Sequence, residues 1–250
     1  MQTKRFLILL AALLPFAAFA APRVHDSALG TVRYEVRYKW GAVNTKVADA
    51  TITLENVNWE GQAACHSHVV IRASSIFRLF MSADYLVDVY LSRSGTEPLY
   101  FVNPVKKNGK DGKYEYFYDK AARTIRSVAT LPPNEPETAS FPLDGRTMDL
   151  VSLLQFVRFH DLPEDGSMKL KVLMSGKSYA ATLSCEGPDD ERFPNVPAIR
   201  LKVRMTERGL MENGSGNEIT LWRSAGTDRR ILGLETALGD SSSMSVSIKE

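Results

Sequence analysis

The stretch TVRYEVRYKWG, Thr31–Gly41, alternates without a break. Val32, Tyr34, Val36, Tyr38 and Trp40 fall on one side of the chain; Arg33, Glu35, Arg37 and Lys39 fall on the other. Successive side chains of an extended strand point to opposite faces, so the pattern predicts a strand with one buried and one solvated face. A turn at Gly41-Ala42-Val43-Asn44 leads into ADATITLENV, where Ala50, Ile52 and Leu54 again share a face.

The same signal recurs outward along the chain. HVVIRAS, YLVDVYLSR, LYFVNPV, KYEYFYD and TIRSVAT follow, with Tyr114, Tyr116 and Tyr118 alternating against Glu115 and Phe117. After Gly166 come MKLKVLM, SYAATLSCEG, AIRLKVRMT, EITLWRS, RILGLETAL and SMSVSIKE. About a dozen short strands at even spacing predict an all-β, mainly antiparallel fold, a strongly curved sheet forming a roll or open barrel-like structure. One segment has a different period. In MDLVSLLQFVRF, Leu150, Leu153, Leu154 and Val157 stand at i, i+3, i+4 and i+7, the stripe of an amphipathic helix over about 149–159. Asp149 is placed to cap it. The helix is expected to lie across the sheet and bury Leu150, Leu154 and Val157. A shorter helical turn is expected at SSIFRLFMS, Ser74–Ser82. LPPNEPETASFPLDG, Leu131–Gly145, holds four prolines and reads as a long surface connection.

The first residues address the compartment. Lys4 and Arg5 precede an apolar run, FLILLAALLPFAAFA, of about 15 residues, short of the roughly 20 that span a bilayer. It ends in Ala18-Phe19-Ala20, a small-x-small cleavage pattern. Residues 1–20 therefore read as a signal peptide, with Ala21 as the mature start, no lipid-anchor cysteine behind it and no transmembrane segment in the mature chain. The expected product is one β-rich domain over 21–250 in the periplasm or outside the cell. Without Lys4 and Arg5, 29 basic residues stand against 29 acidic ones, so the charge excess that nucleic acid requires is absent. The local basic patches KVRMTER and VKKNGKDGK fit a solvated strand face and a hairpin.

Motifs for chemistry are sparse. Gly176-Lys177-Ser178 lacks the preceding glycine of a phosphate loop, having Lys171 in that place. No G-x-S-x-G elbow supplies a nucleophile. Asp189, Asp190 and Glu191 resemble a solvated turn more than a calcium loop. Asp84 and Asp88, four apart on a strand, share a face and would suit acid–base work only with further partners. No catalytic set emerges, and no motif requires a cofactor. In ACHSHVV, His66 and His68 share a strand face while Cys65 looks the other way, so the three cannot hold one metal. A zinc site would need a further ligand, from His160, His25 or a carboxylate. No metal site is therefore assigned. An oxidising compartment favours instead a disulfide between Cys65 and Cys185. Its loop of about 120 residues would stabilise by roughly 4–5 kcal/mol in the chain-entropy model.

Taken in order, the alternating strand ending in an aromatic and Gly, the hairpin, the SSIFRLF turn, the tyrosine-rich strand, the helix pattern Asp149-x-x-Ser152…Arg158, the MKLKVLMSGKSY and NVPAIRL strands, and the LWRS…TDRRIL tail resemble the DUF3108 family of exported bacterial envelope proteins over about Tyr34 to Ile248. Leu232 and Gly233 stand where that pattern has Pro-Val. The resemblance implies a curved β-rich fold and transfers no catalytic residues. Curved sheets too wide to fill themselves hold ligands, so the expected function is non-catalytic binding of a lipid or other envelope amphiphile. A solid-cored scaffold that meets an envelope protein partner is the alternative. A carboxylate-based enzyme acting on a glycan ranks third.

Overall fold

A computed structural model describes residues 23–75, 84–107, 109–174, 176–189, 191–206, 217–239 and 241–249. The signal-peptide reading and most of the expected turn at Ser74–Ser82 lie outside them. The described chain begins with a 3-10 turn, Asp26–Ala28, and continues through β1 (Gly30–Trp40), β2 (Val43–Trp59), β3 (Gln62–Ala73), β4 (Tyr85–Ser92), β5 (Pro98–Lys107), β6 (Lys110–Asp119), β7 (Thr124–Thr130) and β8 (Glu137–Pro142). Then come β9 (Thr147–Asp149), α1 (Leu150–Phe159), β10 (Ser167–Met174), β11 (Lys177–Pro188), β12 (Ala198–Met205), β13 (Glu218–Ser224), β14 (Ile231–Gly239) and β15 (Ser242–Ile248).

These strands form one sheet in the order β8-β7-β6-β5-β4-β3-β2-β1-β15-β14-β13-β12-β11-β10-β9. The two ends of the chain meet in its middle, where β1 pairs antiparallel with β15, Tyr34 opposite Ile248 and Val36 opposite Val246. The only parallel pair among the described strands is β9 with β10, bridged by α1, as a parallel connection requires a crossover. The two free edges, β8 and β9, are consecutive in the chain. Pro142 and Thr147 are five peptide steps apart and can be separated by at most roughly 18 Å. The sheet must therefore curl until its edges nearly meet, while remaining open along that seam.

α1 occupies the inside of the curl. Leu153, Phe156 and Val157 pack against Leu170, Val172 and Leu221 of one half; Val151 and Phe159 pack with Val87, Leu91 and Ile125 of the other. The predicted stripe is thus only part of the contact: Leu150 and Leu154 are half-buried, while Val151, Gln155, Phe156 and Arg158 are buried too. A helix enclosed on several sides has no wet face, so the amphipathic pattern understates its burial. Phe159 is sealed by the turn after β4. Gly95 there has φ +72°, and a Cβ would lie 2.5 Å from the Phe159 ring.

Polar groups pin both helix ends. Asp149 Oδ1 accepts from Ser152 N at 2.9 Å and Oδ2 from Ser152 Oγ at 2.5 Å, while Tyr118 Oη bridges Asp149 Oδ2 and N. At the other end Arg223 Nη1 donates to the carbonyls of Val157, Arg158 and His160. Those are the groups a helix C-terminus leaves without partners. Arg158, 4% exposed, donates to the carbonyls of Ala28, Asp228 and Arg229 and to Gln155 Oε1. Gln155 in turn donates to Ser67 Oγ of β3.

Three expectations are corrected. Trp40 lies on the predicted face but is 63% exposed, because β1 outruns the core at the β1–β2 hairpin tip, beside exposed Val43. The proline-rich connection contains β8, an edge strand; an edge tolerates proline because one side of it has no ladder to complete. Cys65 and Cys185 form no bridge. Both are buried free thiols, Cys65 in the cluster of the first half and Cys185 in that of the second, each facing its own side of α1. Cys65 Sγ donates to Asn56 Oδ1 and the Arg93 carbonyl, and burial pushes its thiol up to about 11.

Two outcomes are expected. Thiol titration without reductant gives two reactive groups per denatured chain. Arg158→Lys keeps the charge but loses the fork; at roughly 1.5–3 kcal/mol per charge-assisted hydrogen bond, stability falls by about 3 kcal/mol. Urea unfolding with an unchanged m-value reads that loss as a lower midpoint.

Candidate functional site

β3 presents alternate faces. Cys65, Ser67 and Val69 point into the curl; His66 and His68 point out. The β2–β3 turn sets what they meet. Glu60 and Gly61 both have positive φ, 50° and 83°, the signature of a two-residue hairpin turn. That turn fixes a register in which Glu55 stands opposite His66. Pairing with β4 then sets Tyr90 opposite His66 and Asp88 opposite His68.

Two rows of outward side chains result. In the first, Glu55, His66, Tyr90, Tyr100, Phe117 and Arg126 succeed one another across six strands. His66 stacks on Tyr90 with centroids 4.6 Å apart, and Trp59 lies over Tyr90 at 3.8 Å and Tyr100 at 5.3 Å. Tyr100 meets Phe117 at 5.0 Å, and the Arg126 guanidinium sits 3.9 Å above the Phe117 ring. In the second row His68, Asp88, Val102 and Glu115 follow each other. Asp88 Oδ1 lies 2.7 Å from His66 Nε2 and 2.6 Å from His68 Nδ1, and Glu55 Oε1 lies 3.1 Å from His66 Nδ1. Buried Glu115 accepts from Tyr100 Oη at 2.5 Å and pairs with Lys113 at 3.0 Å. Burial, then the bond to Glu115, push the Tyr100 hydroxyl well up.

The other residues singled out in the sequence are placed differently. Asp88 is met by the two histidines, with Asp84 just ahead of β4. Asp189 is a turn residue: its carboxylate accepts from Trp222 Nε1, Glu191 N and Arg192 N, and the Trp222 bond is the main cause that holds its carboxyl low. Gly176, with φ +71°, lies in the β10–β11 hairpin as expected. His160 closes α1, far along the chain from His66, and burial lowers its imidazole. The basic residues of KVRMTER that are described are paired: Lys202 with Glu186 and Glu218, and Arg204 with Glu218.

Glu55 was readable in advance, since the Glu60-Gly61 turn counts back to it. The Tyr100–Phe117 pair counts back in the same way from the Lys107–Lys110 closure of the β5–β6 hairpin, whereas the pairing of Asp88 and Tyr90 with β3 was not readable, because a longer connection joins β3 to β4.

The motifs Asp149-x-x-Ser152…Arg158, Leu221-Trp222-Arg223-Ser224 and Asp228-Arg229 converge on one end of α1 or the other, as capping and clamping groups. They define an open antiparallel roll plugged by a helix, whose most distinctive polar residues are structural. The chain belongs to the family described as protein of unknown function (DUF3108), whose model matches residues 33–243. The departure at Leu232-Gly233 has a local reason: a Cβ at Gly233 would lie 2.9 Å from Phe193 Cζ. A crystal structure from Brucella abortus, a beta-barrel-like protein of domain of unknown function DUF1849, matches at 10% identity over 89% of this chain and 98% of that chain, with a TM-score of 0.49. No curated protein matches significantly.

Tyrosine burial has a measurable consequence. Burial pushes Tyr34 up to about 12 and holds Tyr118 well above the ordinary 10.0. A hydroxyl whose folded value is raised lends stability below its unfolded value and loses it as pH climbs through the folded one. Urea midpoints should therefore hold steady up to about pH 10 and fall between pH 10 and 12. Tyr118→Phe should fall less steeply over that window.

Proposed function

We propose that this protein is an exported, non-catalytic component of the bacterial cell envelope, with a solid interior, that works through its outer surface as a scaffold for an envelope protein partner. The observation that carries this reading is the placement of α1. A carrier of this architecture needs an empty lumen, of roughly 300–1,000 Å³ for a small ligand. Here Leu153, Phe156 and Val157 fill the lumen from one side of the helix and Val151 from the other. Gln155 and Arg158 spend their hydrogen-bonding capacity on neighbouring turns and strands rather than facing a cavity.

The main grooves among the described residues are open ones. The seam groove beside Met148, Phe156 and His160 holds about 250 Å³. Larger clefts of about 670 and 710 Å³ lie at the end of the roll that carries the 3-10 turn, lined by Arg33, Arg230 and Lys249 in one and by Arg23, Arg93 and Arg229 in the other. Charged rims and open mouths suit an acyl chain poorly, because burying its methylenes is what binds it. On the outside, by contrast, the row from Glu55 to Arg126 offers aromatic and Arg side chains of the kind enriched where proteins meet. Export is supported by the n-region, apolar run and cleavage pattern of residues 1–20.

Native mass spectrometry of protein isolated from the periplasm, paired with solvent extraction, tests both parts. The expected result is the mass of residues 21–250 with no solvent-extractable addition. A discrete extra mass that extracts as a lipid would restore the carrier reading. A mass that includes residues 1–20 would remove export through cleavage.

A further inference from the structure

The outer-face cluster on β3 and β4 brings more acceptors to two imidazoles than neutral rings can serve. His66 has a carboxylate oxygen at each ring nitrogen, Glu55 Oε1 at 3.1 Å from Nδ1 and Asp88 Oδ1 at 2.7 Å from Nε2. A neutral imidazole has one N–H and one lone pair. Whichever carboxylate receives the N–H, the other faces a lone pair. His68 Nδ1 then converges on the same Asp88 oxygen at 2.6 Å. Two imidazole nitrogens and one carboxylate oxygen all lie within 4.8 Å of one another. A cation among them removes the conflict: Nδ1–H of His66 goes to Glu55, and Nε2 is left free to coordinate. That arrangement, a ligating histidine whose second nitrogen is held by a carboxylate, fixes tautomer and ring orientation in metal sites.

We propose that His66, His68 and Asp88 bind one divalent transition-metal ion of the zinc type on the outer face of the sheet, with Glu55 as the positioning residue behind His66. The ligand types select the ion. Imidazole with carboxylate suits Zn²⁺, Co²⁺, Ni²⁺ and Cu²⁺, whereas Mg²⁺ and Ca²⁺ take oxygen. Ligand atoms at 2.0–2.2 Å from tetrahedral zinc stand roughly 3.4 Å apart, so the Asp88 carboxylate has to retreat by less than about 1 Å and the two imidazole nitrogens, within 4.8 Å of each other, have to settle at that same spacing. It has room to do so, since the side chains of His66, His68 and Asp88 are 16%, 37% and 22% exposed. Three protein ligands on a half-open surface leave the fourth position to water or to a group from a partner. His66 and His68 are two apart on a regular strand, and cross-strand register supplies the third ligand that sequence spacing lacks. The site is independent of what the interior holds.

The test uses untagged full-length mature protein, stripped with EDTA and titrated with Zn²⁺ by calorimetry and with Co²⁺ by visible absorption. One Zn²⁺ per chain is expected, with Co²⁺ d–d bands that Zn²⁺ abolishes and no heat from Mg²⁺. Asp88→Asn and His68→Gln should each weaken Zn²⁺ binding more than about 100-fold, and Glu55→Gln by about 10–100-fold, the range for outer-shell partners. His160→Gln, on the other side of the sheet, should bind as the parent does. Circular dichroism confirms that each variant is folded; if His68→Gln is not, Asp88→Asn and Glu55→Gln decide. Absence of stoichiometric uptake by the parent overturns the proposal. Uptake that survives both Asp88→Asn and His68→Gln overturns it equally, placing the metal elsewhere.

Discussion

A guanidinium out of water has to be given hydrogen-bond acceptors, and the way Arg158 is given them organises this molecule. Its three nitrogens reach the 3-10 turn through Ala28, the β13–β14 turn through Asp228 and Arg229, and its own helix through Gln155. Among the described residues no carboxylate pairs with it directly; burial pulls its guanidinium down, and Tyr34 and Asp228 counter that from nearby. Carbonyl oxygens of turns therefore carry most of the compensation. Each of those turns has to sit where the fork can find it, so one side chain ties the start of the fold, its central helix and its second half together. Arg223 does the complementary work on the helix carbonyls.

A helix held this firmly turns a curved sheet into a solid body. Wide curled sheets otherwise leave a lumen. Here Leu153, Phe156 and Val157 occupy it, and Gln155 and Arg158, which could have lined a binding site, are instead hydrogen-bonded within the fold. On the scaffold reading proposed above, the protein's specificity belongs to its outside. The built part of that outside is the face of β2–β7, where aromatic rings, histidines and acids are aligned by register rather than by sequence proximity.

Much of the architecture was legible because it is local. The alternation in Thr31–Gly41, the tyrosines at 114, 116 and 118 against Glu115 and Phe117, and the period change at Leu150 each show in a few consecutive residues. What misled was also local. Trp40 continues the apolar phase of its strand, yet lies past the end of the core. The four prolines before Gly145 suggested a loop, because nothing in them tells an edge strand from none. The cysteine pair suggested a bridge, because counting thiols says nothing about which side of a central helix each one faces.

By itself the sequence determined the periodicities: which stretches form the strands other than the edge strands β8 and β9, which one is a helix, which side chains of each such strand share a face, and where Asp149 starts the helix. Those follow from steric and hydrophobic preferences within one element. Only the tertiary structure decided which elements touch. It brought β8 and β9 to opposite edges of one curled sheet, put α1 inside it, and placed Asp88 between His66 and His68. Pairing across strands is chosen by the total of burial and hydrogen bonding over the whole sheet. No single segment contains that sum, so no single segment discloses it.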